Sequence, residues 1–436
     1  MGNIGKVPEL QKRILFTLAM LAVFRLGVQI PTPGVDKGVL IQMFESAQNT
    51  ILGMFSTFTG GAFKQMSVLG LGIMPYISAS IILDLLTMVI PQLDRLKKEG
   101  DQGRKKIKQY TRYLTVALCL VQGFGISFWL ESLHGQAGAP VVPNPGFGFR
   151  IITMITLTAG TTFLMWIGEQ ITERGIGNGI SLIIFAGIVA DMPTAFAQLI
   201  TGMGEQFSII EIAILLIVMV IVIGFIVFME RGQRRIPVRY AKRVVGRKMY
   251  GGINTHLPLK VNTAGVIPPI FASSLLMFPA TLARMLGDRV ESLSLISDLF
   301  RPDHIIYNVC YVGLIIFFCY FYTAVVFNPV DVADNLKKHG GYVPGQRPGK
   351  NTADYIDRIL TRLTLGGAIY VSVICVLPTI IISEFGVSFY FGGTGLLIVV
   401  GVAMDTIAQI EAHLLSRSYD GFLGEGGPRI RGRSRR

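Results

Sequence analysis

The sequence predicts an all-α integral membrane protein of ten transmembrane helices. Hydrophobic residues make up 51% of the 436 and charged residues only 15%, against about one-quarter charged in a soluble globular chain. Apolar stretches near the roughly 20 residues that cross hydrocarbon recur along almost the whole chain. A secretory leader would instead give a single short stretch at the start, so no cleaved segment is expected.

The predicted spans run Ile14 to Pro33, Ile73 to Pro91, Tyr113 to Leu133, Ile151 to Ile171, Ile176 to Ala195, Ile209 to Met229, Thr263 to Ala283, Ile306 to Phe327, Leu363 to Ser383, and Gly392 to Leu414. Between the first two lies the glycine-rich, apolar segment 60–72. It is too short to cross, so it is expected to be re-entrant, interfacial or a surface loop.

Cytoplasmic loops of membrane proteins are enriched in Lys and Arg. With a cytoplasmic N-terminus, 33 of the 40 Lys and Arg fall on the cytoplasmic side and six outside, namely Lys37, Lys64, Arg150, Arg284, Arg289 and Arg301, while Arg25 lies in a span. Both termini are therefore expected in the cytoplasm. Five spans on each side of residue 200 give halves 1–200 and 201–414 that enter the membrane from opposite sides, followed by a basic tail, 415–436. Inverted halves place a pathway at their interface. No internal sequence repeat supports the division.

The basic residues gather on one face, which favours a cytoplasmic partner or anionic lipid over a nucleic-acid-binding domain. Loops 230–262 and 328–362 are long for topology determinants alone. The first carries Arg234, Arg235, Arg239, Lys242, Arg243, Arg247 and Lys248, and the second Arg347 on a proline- and glycine-braced tip. They read either as topology signals or as docking surfaces.

Cys119, Cys310, Cys319 and Cys375 all lie in apolar stretches and read as small buried hydrophobes. Metal, nucleotide and nucleophile motifs are missing, which argues against an enzyme, a cofactor or direct nucleotide binding. The run 174–179, Arg-Gly-Ile-Gly-Asn-Gly, lacks the spacing of a phosphate loop and reads as a flexible turn. Of the intramembrane charges, Glu169, Asp191 and Glu411 fall near span ends, while Arg25, Asp84 and Asp405 lie deeper, as a structural ion pair or an ion-coupling site.

Specific motifs add a resemblance. Phe24-Arg25-Leu26-Gly27 with Ile30-Pro31-Thr32-Pro33-Gly34-Val35-Asp36, Gly72-Ile73-Met74-Pro75-Tyr76-Ile77-Ser78-Ala79-Ser80-Ile81, and Gly168 through Ser181 are similar to the SecY family. So are His256 through Asn262, Asn328-Pro329 through Lys338, and Phe391-Gly392-Gly393-Thr394. Asp84 departs from the uncharged polar residue of that family.

This resemblance implies a clamshell of two five-helix halves around a protein-conducting pore in the bacterial plasma (inner) membrane. It implies an apolar pore ring of Ile73, Ile77, Ile180, Ile184, Ile270 and Ile398. It further implies a re-entrant plug helix that includes Gly60, Gly61, Ala62, Phe63, Lys64, Gln65, Met66, Ser67, Val68 and Leu69. A lateral gate would open between the second and third spans and the seventh and eighth, with Pro75, Pro268 and Pro269 allowing local bending. Implied partners are SecE-like and SecG-like small subunits, the SecA motor, the ribosome, and substrate polypeptides bearing signal peptides.

Overall fold

The computed structural model describes residues 8–46, 59–133, 140–201, 209–240, 243–245, 248–250, 254–276, 304–385 and 393–423. The helices are α1 (Pro8–Val28), α2 (Lys37–Ser46), α3 (Met74–Val89), α4 (Pro91–Lys98), α5 (Asp101–Ser132), α6 (Phe147–Arg174), α7 (Gly179–Thr201) and α8 (Ile209–Arg231). They continue with α9 (Ile267–Leu276), then α10 (Ile305–Val326), α11 (Pro329–Lys338), α12 (Lys350–Phe385) and α13 (Gly393–Leu423).

Helix occurs within every one of the ten predicted segments, the seventh being described as far as Leu276. Among the described residues six helices, in α5, α6, α8, α10, α12 and α13, are long and apolar enough to cross a bilayer. The pair α3 and α4, bent by 101° at Ile90, makes a seventh when taken as one span. Ile90 is extended because the following proline disfavours the helical region for the residue before it.

Two helix groups are visible in the packing. In one, α6 packs on α1, α5 and α7, and α3 packs on α5 and α6; in the other, α12 packs on α10 and α13, and α13 on α8. The groups meet where α7 packs against α13.

One amendment to the all-α expectation lies in the long loops. Strands β1 (Gln233–Tyr240) and β4 (Asn254–Lys260) form an antiparallel ladder from Gln233↔Lys260 to Arg239↔Asn254. The second loop adds β5 (Gly341–Tyr342) to the other edge of β1, with Arg239 opposite Tyr342. A separate hairpin joins β2 (Arg243–Val245) and β3 (Lys248–Tyr250). Period-2 alternation buries Ile236 and Val238. Ile236, Leu259, Val343 and Ile356 then form a small core, so the two loops fold as one unit on the start of α12.

Candidate functional site

All six residues of the expected ring fall in one apolar cluster. Ile73 precedes the first residue of α3, and Ile77 lies one helical turn further along. Ile184 comes from α7, Ile270 from α9 and Ile398 from α13; these five are buried, and Ile180 is partly buried against them. Both helix groups contribute, because the cluster also takes Phe24 of α1, Ile167 of α6, Ile226 of α8, Ile315 of α10 and Val371 of α12. Aliphatic walls offer no hydrogen bond to water or ions, so a constriction of this chemistry dewets without a charged filter.

Residues 60–72 lie against this cluster but are not a helix. They form consecutive tight turns, with Ser67 N–H bonded to the Ala62 carbonyl at 2.9 Å and Gly70 N–H to Ser67 at 2.8 Å. Gly60 (φ +64), Gly61 (φ +79) and Gly72 (φ +60) take the left-handed conformation that turns require and helices exclude. The expected plug helix is thereby corrected to a turn-built segment.

The bend after α1 grips this segment as a short antiparallel bridge, Thr32 N–H to Met66 O at 2.8 Å and Val68 N–H to Ile30 O at 2.9 Å. Ala62 and Leu69 join the ring cluster. Phe63, Met66 and Leu71 face a second cluster with Leu40, Leu130 and Leu157, where Phe63 stacks on Trp129 at 5.8 Å. The segment therefore fills the space between two cores.

Along the seam where α3 meets α9 and α10, Ser274 Oγ lies 3.6 Å from Met74 Sδ. Phe271 of α9 packs edge-on against Phe318 and Tyr322 of α10. Pro75, Pro268 and Pro269 do not bend these helices. Pro75 occupies the first turn of α3, and Pro268 and Pro269 the first turn of α9, where a missing N–H costs nothing. Asp84 is half-buried on α3, within electrostatic reach of Tyr322 across the seam.

The deeper charges, left open between an ion pair and a coupling site, find separate partners. Arg25 Nη1 donates to the Gly60 carbonyl at 2.9 Å. Asp405 is exposed and lies 3.9 Å from Lys260 Nζ. Glu169 is held by Arg112, with Nε to Oε1 at 3.1 Å. Nor is 174–179 a free turn. Ile176 N–H bonds Thr17 Oγ1 at 3.1 Å, Gly177 N–H bonds Gln409 Oε1 at 2.9 Å, and Gly179 N–H bonds Thr172 Oγ1 at 2.9 Å. It thus ties α1, α6 and α13 together.

In the loop unit Arg234, Arg235 and Arg239 are exposed, and Arg235 and Arg239 share the face opposite Ile236 and Val238. Arg347 is exposed on a loop braced by Gln346 N–H to Val343 O at 3.1 Å and by Thr352 Oγ1 to the Arg347 carbonyl at 2.8 Å. Arg243 and Lys248 lie in β2 and β3, while Lys242 and Arg247 lie outside the described residues. Lys98 of α4 bonds Asp94 at 2.7 Å. That bond raises the Lys98 pKa, with Asp331 of α11 adding to it, which places α4 and α11 within electrostatic reach. All four cysteines are free thiols, but Cys310 is exposed rather than buried.

The chain resembles known proteins over nearly its whole length. The SecY family model matches residues 67–407. The protein translocase subunit SecY of Escherichia coli (strain K12) is 52% identical over 424 residues, covering 96% of this chain and 95% of its own length. A solved SecY structure, in which the plug domain is described as stabilising the closed state of the translocation channel, superposes with TM-score 0.65 at 18% identity, covering 96% of this chain and 97% of that one. Sec61 in the canine ribosome–channel complex from the endoplasmic reticulum superposes with TM-score 0.63 at 16% identity, covering 96% and 97%. At such low identity these two structures speak for the fold, whereas the sequence match extends over nearly the full length of a curated relative. The chain belongs to the SecY family.

Proposed function

We propose that this chain is the channel subunit of a protein translocase, which passes unfolded polypeptides across a bacterial plasma membrane and releases hydrophobic segments sideways into lipid. It is a channel and not an enzyme. The observation that carries this reading is the gathering of Ile73, Ile77, Ile180, Ile184, Ile270 and Ile398 into one apolar cluster with the turn-built segment 60–72 packed against it. In this reading the six isoleucines are the pore ring and the segment is its cover. Compliant aliphatic walls admit any side chain because they demand no particular hydrogen bond from it.

Ten spans in two inverted halves, 1–200 and 201–414, with both termini and the tail 415–436 cytoplasmic, agree with the charge bias of the sequence. The seam between α3 and the pair α9 and α10 is then the lateral gate. The single unit built from both long loops, with Arg234, Arg235, Arg239 and Arg347 exposed on it, suits docking of a SecA-like motor or a ribosome, which supplies the drive. Small SecE-like and SecG-like subunits and anionic lipid complete the assembly.

The test is reconstitution with a SecE-like partner and SecA in vesicles, with ATP-dependent protection of a signal-bearing protein from added protease as the readout. Solute-coupled ion flux without protein uptake would overturn the reading.

A further inference from the structure

The cover segment begins at a point where charge, as well as packing, holds it. Arg25 of α1 donates from Nη1 to the carbonyl of Gly60 at 2.9 Å. Gly60 is seated so closely that a Cβ there would lie 2.7 Å from Gly187 Cα of α7 and 3.2 Å from Arg25 Nη1, at a φ of +64 that side chains resist. One residue on, a Cβ at Gly61 would lie 3.7 Å from Asp191 Oδ1. Asp191 is half-buried on α7 and within electrostatic reach of both Arg25 and Lys64, the latter carried by the cover itself.

We propose that Arg25 and Asp191 are positioning residues that clamp the start of the cover between α1 and α7, and so set how often it leaves the apolar cluster. The inference rests on the reading of 60–72 as the cover. Its physical basis is the cost of partly buried charge in a membrane protein, which falls only when the charge finds a partner. With the cover seated, the guanidinium has the Gly60 carbonyl, and Asp191 has Arg25 and Lys64 in reach. Lifting the cover removes the acceptor from Arg25 and carries Lys64 away from Asp191. Apolar packing resists displacement in every direction, whereas this clamp specifies the seated position. Gly60 lets the backbone enter a gap between helices too narrow for a side chain, and Gly61 continues the left-handed turn beside it.

The test uses the complex with its SecE-like partner in planar bilayers, measuring resting ion conductance together with accumulation in the membrane. Arg25→Gln and Asp191→Asn should each accumulate normally and raise resting conductance about tenfold, as loss of a charge-assisted contact implies. Arg25→Lys, which keeps the charge, should restore most of the tightness. Gly60→Ala should leak by an independent route, because it displaces the same backbone without altering charge. Deletion of residues 63–69 serves as the reference for an uncovered pore.

If the deletion leaks while Asp191→Asn and Gly60→Ala stay as tight as the parent, the clamp is overturned and the cover reading stands. If the deletion is also tight, the cover reading fails and the clamp with it. Equal leakage from Arg25→Lys and Arg25→Gln would likewise overturn a role for charge. Should Arg25→Gln fail to accumulate, the isosteric Asp191→Asn and Gly60→Ala decide the matter.

Discussion

At Gly160 a single hydrogen sets how closely α6 approaches the cover, since a Cβ there would lie 1.9 Å from the Val68 carbonyl oxygen. Helix propensity alone would favour Gly160→Ala by about 1 kcal/mol. Overpacking against a backbone atom costs about 1–3 kcal/mol, so the cover should be pushed aside, and higher resting ion conductance without loss of accumulation is the expected result. Ile270 and Ile398 test the ring in the same assay. An Asn at either position puts a water-binding amide in an apolar constriction, so both variants should accumulate, conduct small ions, and export proteins with defective signal peptides. Ion-tight variants that remain demanding of signal peptides would place the constriction elsewhere. The four-residue spacing of Ile73 with Ile77 and of Ile180 with Ile184 was legible from the sequence as one helix face. Which isoleucines among many meet at one cluster was not, because they come from four separate helices and spacing says nothing about packing between helices. The resemblance to a family supplied that choice. The contact of Arg25 with Gly60 was illegible for the same reason, since spacing along the chain does not say what a charge in a span will meet.

Elements show where local rules were enough and where tertiary context overrode them. The shortness of 60–72 excluded a span, and its turn hydrogen bonds, flanked by Gly60, Gly61 and Gly72 at positive φ, replace the helix that the resemblance implied. The prolines of the gate region were misread because their effect depends on position: a helix interior bends at proline, a first turn does not. Pro75→Ala is accordingly expected to leave both helix content and transport close to those of the parent, and a large loss of either would restore a bending role. The long loops read as two surfaces because strand pairing between distant segments leaves no local signal. Their union gives a prediction at this scale. Ile356 is fully buried in the core that β1, β4 and α12 share, so Ile356→Ala should cost about 2–5 kcal/mol of local stability and expose both loops to protease together. Cleavage confined to one loop would mean that they fold separately. Arg347→Glu, in contrast, changes an exposed side chain and should preserve protease resistance and accumulation while abolishing SecA-driven uptake.

For the whole molecule, charge bias and hydropathy made the membrane class and the helix positions legible, since both depend on composition over long windows rather than on particular contacts. The grouping of helices needed the structure, where α6 gathers α1, α5 and α7, and α12 gathers α10 and α13. Orientation remains the property on which docking, gating and energy supply all depend, because a loop unit on the outer side could meet neither ribosome nor motor. It can be tested with single cysteines in a background lacking Cys119, Cys310, Cys319 and Cys375. Gly340 is a poor site for one, since its φ of +70 would strain any side chain. Lys105 on α5 and Lys338 on α11 are exposed helical positions, and Asn144 is exposed in the connection between α5 and α6. With cytoplasmic termini, Lys105→Cys and Lys338→Cys should react with an impermeant maleimide only in inverted vesicles, and Asn144→Cys only in intact cells. Because α5 links the Lys105 end to the Asn144 end as a helix of crossing length, the first and last of these sites must label from opposite sides whatever the absolute orientation. Lys338 then supplies independent information about the second helix group. Labelling of Lys338→Cys from the same side as Asn144→Cys would break the ten-span count between the two groups and remove the shared loop unit from the cytoplasm.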